Sequence, residues 1–566
     1  MGRPLHVKPA TTGTTRRGFF KRSSSAAVAL ASTPMLSVAG LGTSRPDLFQ
    51  HGVASGDPLS DRVILWTRVT PRKPRPSIEV RYVVATDPKL RRVVARGEVR
   101  AQASRDYTVK VDPVGLRPGT TYYYRFAVED AKSPIGRTKT LPVGPTSSLR
   151  LAVVSCSNLA AGYFNAYRRV AERADLDAVL HLGDYIYEYG AGQYGSVRTP
   201  EPATEMISLD DYRMRHAQYK RDADSQEMHR QHPLIAIWDD HEIANDAWQN
   251  GAENHAEGAE GSWSDRVSAG LKAYFEWMPV RMPDPANPRR DQRAFQFGDL
   301  IDLAMLEERL GARSKQLPAT IPTPQGNVFV QAGEFADPSR TLLGTEQETW
   351  LAERLRGATT RWKVIGQGVM FAQLKLQGAP LAFGGGAFFN SDQWDGYQPA
   401  RDRIYDVLKG DASHPPVNNC VILTGDIHSS WAADLSQDPN NPVVAAGGYN
   451  PITGEGSRAV EFVGTSVTSP GLDDPTGQTA AFVRSQNPHF KYVELNKRGY
   501  MLLDVTPQRV VSEWWYVDTV ASISNVQTFG VAFEVAYGSN RLAPSAQTPS
   551  RANPPALAAD LHQDDD

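Results

Sequence analysis

The chain has 566 residues, 40% of them hydrophobic and 22% charged, with a formal net charge of -2 from 61 basic and 63 acidic side chains. That length allows two or three domains with a large core, and the balanced charge points to neither nucleic acid nor an anionic membrane surface. Two cysteines, Cys156 and Cys420, exclude a small disulfide scaffold but leave one bridge open in an oxidising compartment.

Residues 1–39 stand apart from the fold. Thr14 to Arg22 reads T-T-R-R-G-F-F-K-R, an Ala- and Ser-rich apolar stretch runs to about Val38, and Ser37-Val38-Ala39 resembles an A-x-A cleavage site. This order resembles a twin-arginine export signal, so the twin-arginine machinery is an expected partner and the protein is expected to be periplasmic or secreted. The apolar stretch is too short for a stable membrane anchor, and no run elsewhere is long enough to span a bilayer. No nucleic-acid-binding domain is expected.

Residues 47–146 read as an all-β immunoglobulin- or fibronectin III-like domain. Val63 to Trp66, Ile78 to Ala85, Arg92 to Val99, Tyr107 to Val111 and Thr121 to Val128 are β-branched and aromatic runs separated by turn residues. Leu116 to Tyr124 resembles the tyrosine-corner approach of such a sandwich. From Leu149 strands alternate with helices, the pattern of an α/β layered domain over 149–520. The predicted strands are Leu151–Val154, Ala178–Leu182, Leu234–Trp238, Asp299–Leu306, Trp362–Ile365, Cys420–Leu423, Val460–Ser469, Gly499–Asp504 and Val510–Tyr516. Helices are expected over Asn165–Ala174, Asp210–His229, Val267–Met278 and Thr345–Leu355. Asn245–Ser264 reads as a long loop on the active face, and Phe383–Trp394, with three consecutive glycines, as a flexible loop or lid. Residues 521–566 form an extension whose Pro/Ala-rich part, from about Ala543, is expected to be disordered or lightly docked.

Four strand ends carry groups that bind metals: Cys156; Asp184 with Tyr187; Asp240 with His241; and Asp426 with His428. Ligands of open α/β sheets bind outside the carboxyl ends of the strands. Each motif alone has a bland reading as a turn former, a cap or a core thiol. Four together at the ends of apolar runs are hard to ascribe to packing, and the set predicts a metal site.

Gly183-Asp184-x-x-Tyr187, Asp240-His241-Glu242 and Gly425-Asp426-x-His428 resemble the ordered blocks of the calcineurin-like metallophosphoesterases. Ser155-Cys156-Ser157-Asn158 replaces the usual first block, and Asp240 replaces an Asn. Those departures, the β domain and the export signal resemble the alkaline phosphatase D family, with further matches at Phe49–Pro58 and Val463–Ser469. The resemblance implies an α/β fold, a metallophosphoesterase β-sandwich flanked by helices, behind the all-β domain. It implies Fe3+ held by Cys156, Asp184, Tyr187 and His428, and Ca2+ held by the bridging Asp184 with Asp240 and Asp426. A Cys156 that ligates iron cannot be in a disulfide, which leaves Cys420 as a core thiol.

The implied activity is hydrolysis of phosphate monoesters, with diesters a further option, by metal-hydroxide attack on phosphorus. The alternatives are a calcium-dependent phospholipase D or phosphodiesterase of the same family, and a non-catalytic metal-binding cell-surface protein. His241, with Asp240, is the catalytic candidate. Asn245, Arg266 and Arg281 are candidates for binding phosphate oxygens. Leu306-Glu307-Glu308-Arg309 departs from an expected L-D-T-R, a change that bears on specificity if the missing Asp touches metal or substrate.

Overall fold

The computed structural model describes residues 48–559 apart from 319–320, 324–325, 331–332 and 378–385. The expected export signal therefore lies outside the described residues, as do 383–385 of the glycine loop.

The chain begins with strands β1 (Val53–Gly56), β2 (Ile64–Arg68), β3 (Ser77–Ala85), β4 (Val93–Gln102), β5 (Thr108–Val111), β6 (Thr121–Val128), β7 (Ala131–Lys132) and β8 (Gly136–Lys139). Strands β3, β4, β6 and β7 form one antiparallel sheet, with β8 paired to β6. Alternating Val80, Val84, Tyr122, Tyr124 and Phe126 pack its inner face against Leu65, Val109 and Val111. The β1, β2 and β5 layer continues into the next part of the chain, because β1 pairs in parallel with β11.

The larger part runs β9 (Leu149–Val154), α1 (Asn165–Ala171), β10 (Ala178–Leu182), α2 (Leu209–Arg221), α3 (Ala223–Gln231), β11 (Pro233–Ile237), α4 (Trp263–Trp277), β12 (Arg293–Phe297) and β13 (Ile301–Met305). After the small strands β14 (Ile321–Thr323) and β15 (Gly326–Val330) come α5 (Gly344–Gly357), β16 (Trp362–Gln367), β17 (Lys375–Gln377), β18 (Gly386–Phe388), α6 (Gln398–Lys409), β19 (Cys420–Thr424), β20 (Ser430–Leu435), β21 (Ala459–Val463), α7 (Gln478–Gln486) and β22 (Phe490–Glu494). The chain closes with β23 (Gly499–Val505), β24 (Arg509–Val517), β25 (Gln527–Ala536) and β26 (Leu542–Ser545).

Two large sheets result, in strand orders β26-β25-β24-β23-β9-β10-β11-β1-β2-β5 and β12-β13-β16-β19-β21-β20-β22. Their central strands are parallel: β9, β10 and β11 in one, β13, β16, β19 and β21 in the other. Side chains alternate along each strand, so Leu151, Val153, Leu180, Ile235 and Ile237 of one sheet meet Leu303, Val364, Val421 and Leu423 of the other. The outer faces bury Val179 and Ala236 under α1–α4, and Ile365 and Ile422 under α5 and α6. The molecule is a helix-flanked β-sandwich with a β-rich N-terminal part, as expected.

Several elements differ from the sequence expectation. The helix expected over Asp210–His229 is two, because Asp222 ends α2 with an extended ψ and caps α3, accepting from Asp224 N and Ser225 N at 3.0 Å each. The run Asp299–Leu306 contains only β13, paired antiparallel with a β12 that was not anticipated. Helix α6 and strand β20 were also not anticipated. Beyond Ala543 the chain lies against the body through residue 559: Arg150 Nη2 donates to Thr548 Oγ1 and Pro549 O, and Tyr123 OH to Ala556 O.

Candidate metal centre

The central strands of both sheets end on one rim, and their next residues form the site. Cys156 follows β9, Asp184 follows β10, Asp239 and Asp240 follow β11, and Asp426 and His428 follow β19. Four of these residues have left-handed backbone: φ is 59° at Cys156, 56° at Asp184, 57° at Asp426 and 56° at His428. Non-glycine residues resist that conformation, so its recurrence at the strand ends marks a rim shaped for function. Gly183, with φ 95°, brings the β10 and β11 ends together; a Cβ there would lie 2.4 Å from Asp239 Cβ.

Glu242 ties those ends by their backbones. Its carboxylate accepts from Asp184 N at 3.1 Å, Tyr185 N at 2.6 Å and Asp239 N at 2.9 Å. The acid of the Asp240-His241-Glu242 block is thus a brace, not a ligand.

Ligand atoms of Cys156, Asp184 and His428 lie within 4.8 Å of one another, all buried. Tyr187 stands among them, donating to Asp184 Oδ2 at 2.9 Å, 3.1 Å from His428 Nε2, and accepting from Ser469 Oγ at 2.7 Å. His428 Nδ1 is 2.9 Å from Pro470 O, which can only accept; the proton therefore sits on Nδ1 and Nε2 turns its lone pair toward the cluster. Burial, then the nearby Asp184 and Cys156, push the Tyr187 phenol well above its usual range.

A second group, Asp184, Asp239, Asp240 and Asp426, also lies within 4.8 Å. Arg309 reaches into it: Nη2 is 3.0 Å from Asp239, 3.2 Å from Asp426 and 3.5 Å from Asp240, and Nη1 is 2.8 Å from Asp392. Burial pushes the Asp239 carboxyl up, with Arg309 opposing and Asp240 adding to the rise. Four buried carboxylates, three of them in contact with one guanidinium that is itself shared with Asp392, leave an excess of negative charge. Such an excess favours a bound cation. The donor chemistry also divides in two: sulfur, phenol, imidazole and carboxylate on one side, carboxylates alone on the other, with Asp184 common to both. These residues fit two metal ions.

His241 forms a third group with Asp184 and Asp240. Its Nδ1 is 2.7 Å from Glu188 Oε2, and its ring stacks on Tyr187 with centroids 4.1 Å apart. Burial opposes a charge on this imidazole, yet Glu188, Asp240 and Asp184 outweigh it and raise the group to about 10. Asn245 joins through Glu188, its N donating to Oε1 at 2.8 Å.

The structure does not bring Arg266 and Arg281 to the metal residues. Arg266 is fully buried, with Nη2 on Glu205 at 2.7 Å and Nη1 on Asn254 O at 2.9 Å. Arg281 pairs with Asp112, Nη2 to Oδ1 at 2.9 Å, on the side facing the N-terminal part. Glu307 and Glu308 are also taken up internally. Glu307 accepts from the backbone N of Arg309, Leu310 and Gly311, and Glu308 from Gly368 N and Val369 N. The residues that sequence reasoning missed are Glu188, Asp239, Arg309 and Asp392. Cys156 and Cys420 are both buried and form no disulfide with each other, with Cys420 raised to about 12 by burial.

A family model described as PhoD-like phosphatase matches residues 151–514, and one described as PhoD-like phosphatase, N-terminal domain, matches residues 37–142. Alkaline phosphatase D of Bacillus subtilis (strain 168) is 37% identical over 477 residues, 81% of this chain and 76% of that protein. A solved structure described as "Structure of PhoD" superimposes with a TM-score of 0.79 at 33% identity, covering 90% of this chain and 94% of its own.

Proposed function

The chain belongs to the PhoD-like phosphatase family and is a phosphoesterase hydrolase, and from that premise we propose that it is an exported alkaline phosphatase acting first on phosphate monoesters at an iron(III)–calcium centre. The observation that carries this reading is Asp184, whose carboxylate is common to a mixed sulfur, nitrogen and oxygen set and to an all-carboxylate set. Cys156, Asp184, Tyr187 and His428 would hold Fe3+; Asp184, Asp240 and Asp426 would hold Ca2+. Bound there, the ions would supply Lewis-acid activation of water and neutralise phosphoryl charge.

The chain's own groups do the rest. Glu188 fixes the His241 ring through Nδ1, a placement from which the imidazole would bind a phosphoryl oxygen or protonate the leaving oxygen. Pro470 O fixes the His428 tautomer, and Glu242 holds the strand ends at one spacing.

The decisive experiment is turnover of p-nitrophenyl phosphate, bis-p-nitrophenyl phosphate and phosphatidylcholine by the natively exported protein, with metal content and visible spectrum from the same sample. Preferred monoester turnover with bound iron and a charge-transfer band is expected. Asp184→Ala is expected to lose about 10³-fold or more, the several kcal/mol that metal ions contribute, with an unchanged circular-dichroism spectrum. Phosphatidylcholine as the preferred substrate would instead make the enzyme a phospholipase D, and full activity in Asp184→Ala would refute the centre.

Export rests on Arg16-Arg17 within the Thr14–Arg22 segment. Replacing both with Lys is expected to trap the protein in the cytoplasm; unimpaired secretion would overturn the twin-arginine assignment.

A further inference from the structure

Arg309, which follows β13, is fully buried among the carboxylates of the rim, and its contacts are of two kinds. Nε and Nη2 fork the two oxygens of Asp239, with Nη2 at 3.0 Å, and Nη1 lies 2.8 Å and 2.9 Å from the two oxygens of Asp392. Asp426 and Asp240 meet only Nη2, at 3.2 Å and 3.5 Å. The fork is the strong form of arginine–carboxylate pairing, and a guanidinium keeps its proton inside a protein, so this positive charge is permanent. Asp392 has a second cation in Arg313, whose Nη2 is 2.7 Å from Oδ1, and an amide in Gln316, also at 2.7 Å. Among the described residues, Arg309 is the cation paired with Asp239.

The fold is built to hold Asp239 in that pairing. Two glycines clear its slot: a Cβ on Gly183 would lie 2.4 Å from Asp239 Cβ, and one on Gly368, just past β16, would lie 2.7 Å from Oδ1 and 3.1 Å from Oδ2. Its N is anchored on Glu242 at 2.9 Å. Both of its oxygens are thus spent on the guanidinium, although Asp239 stands within ligand distance of Asp184, Asp240 and Asp426. The number of charges on a donor set tunes its affinity for a hard cation. Attraction also scales with the charge of the ion, so an uncompensated charge beside the set moves a trivalent ion more than a divalent one.

We propose that Asp239 and Arg309 are a charge-balancing pair, and that this balance, not ligation by Asp239, fits the all-carboxylate set to a divalent ion. With the pair intact, Asp184, Asp240 and Asp426 supply the charge that the ion meets, and Arg309 neither adds to it nor subtracts from it. Asp239 acts through Arg309 and is a positioning residue for charge. The inference rests on the two-ion reading of the metal centre and not on turnover.

The test titrates the purified full-length protein, stripped of calcium by a chelator, with Tb3+, an oxygen-seeking trivalent ion. Luminescence excited through the tryptophans reads Tb3+ binding, and displacement of Tb3+ reads Ca2+ binding. Asp239→Asn keeps the shape and leaves the Arg309 charge unbalanced. Affinity is expected to fall about 10-fold for each unit of ion charge, a value between those for bulk water and a protein surface: about 100-fold for Ca2+ and about 1,000-fold for Tb3+. Adding Arg309→Met removes the stranded cation and is expected to restore both ions to within about 3-fold of the wild type. Should Asp239→Asn not fold, Asp392→Asn unbalances Arg309 from its other fork and is expected to act with the same sign. A double variant that binds no better than Asp239→Asn would make Asp239 a ligand. Equal losses for the two ions would remove charge as the cause. A Tb3+ signal untouched by Asp426→Asn would place the ion elsewhere, and a wild type that binds neither ion would leave the pair nothing to balance. Each of these would overturn the proposal. A protein that shows the charge response but turns over no phosphoester would refute the phosphatase reading and leave the pair standing.

Discussion

Glu188 is the residue on which the chemistry of the rim turns, although it touches none of the six proposed metal ligands by hydrogen bond except through His241 and the neighbouring backbone. Its carboxylate holds His241 Nδ1 at 2.7 Å, Asn245 N at 2.8 Å and Asn254 Nδ2 at 3.0 Å. Glu188→Gln keeps the shape and removes the charge that favours the imidazolium. The expected outcome is a fall in kcat of about 10–100-fold with unchanged metal content, measured by steady-state kinetics and metal analysis. A fall in metal content of the same size would mean that Glu188 supports the ligands instead. Residues of this kind also mark the limit of sequence reading. Cys156, Asp184, Tyr187, Asp240, Asp426 and His428 stand out as candidates in the sequence because each follows an apolar run that must be a buried strand, and the structure gathers them at one rim. Glu188, Arg309 and Asp392 do not, because their role depends on which strand ends fold together. Arg266 and Arg281 were misplaced for the converse reason: a sequence does not show whether an arginine's donors find carboxylates inside the protein, as these find Glu205 and Asp112.

At the scale of elements, the strands were the most readable part, since period-2 burial and β-branched composition act locally. The break between α2 and α3 was less so, because the run Asp210–His229 keeps helical composition throughout. Asp222 breaks it by offering its own carboxylate to the first amides of α3, 3.0 Å from both Asp224 N and Ser225 N, while Oδ2 takes Arg198 at 2.8 Å. Asp222→Ala is expected to cost about 1–2 kcal/mol in urea unfolding by losing the cap. Activity should hold, because α3 packs behind β1 and β8, away from the rim. A substitution without effect on the midpoint would show that water or Arg198 alone sets the break. The pairing of β25 onto β24 and of β26 onto β25 was not legible either, since strands at the margin of a sheet are specified by the neighbour they find.

For the whole molecule, buried titrating groups set where in pH the fold is most stable. Burial lowers His51, His181, His216, His232 and His489 to about 3, and His229 and Lys220 well below their usual ranges. The unfolded chain protonates its histidines near 6.5, so between about 6.5 and 3 it takes up protons that the native state refuses. Their contribution is complete above pH 6.5 and is lost as pH falls. Lys220 works in the same direction up to about 10.4. Glu308, raised by burial to about 8, and Glu461, raised by burial to about 7, work against them between about 4.5 and 8, because the native state then holds protons the unfolded chain has released. Above about 10 the buried Tyr212 and Tyr219, pushed up to about 12, favour unfolding. His241, raised to about 10 by Glu188 and its acidic neighbours against its burial, opposes Lys220 above 6.5, and Lys110, lowered by burial to about 7, adds to Lys220, so the stability maximum falls between about pH 8 and 10, with a steep acid limb below about 4.5 where the carboxyl compensation has ended. His216 isolates one proton of that limb: it is fully buried, stacked with Tyr185 and Trp277, and neither ring nitrogen has a hydrogen-bond partner. In His216→Leu the slope of unfolding free energy against pH between 4.5 and 3.5 is expected to drop by about 1.4 kcal/mol per pH unit, one proton's worth. Urea titrations across that range measure it directly. An unchanged slope would mean that His216 titrates normally in the folded protein, and that the acid limb belongs to other groups.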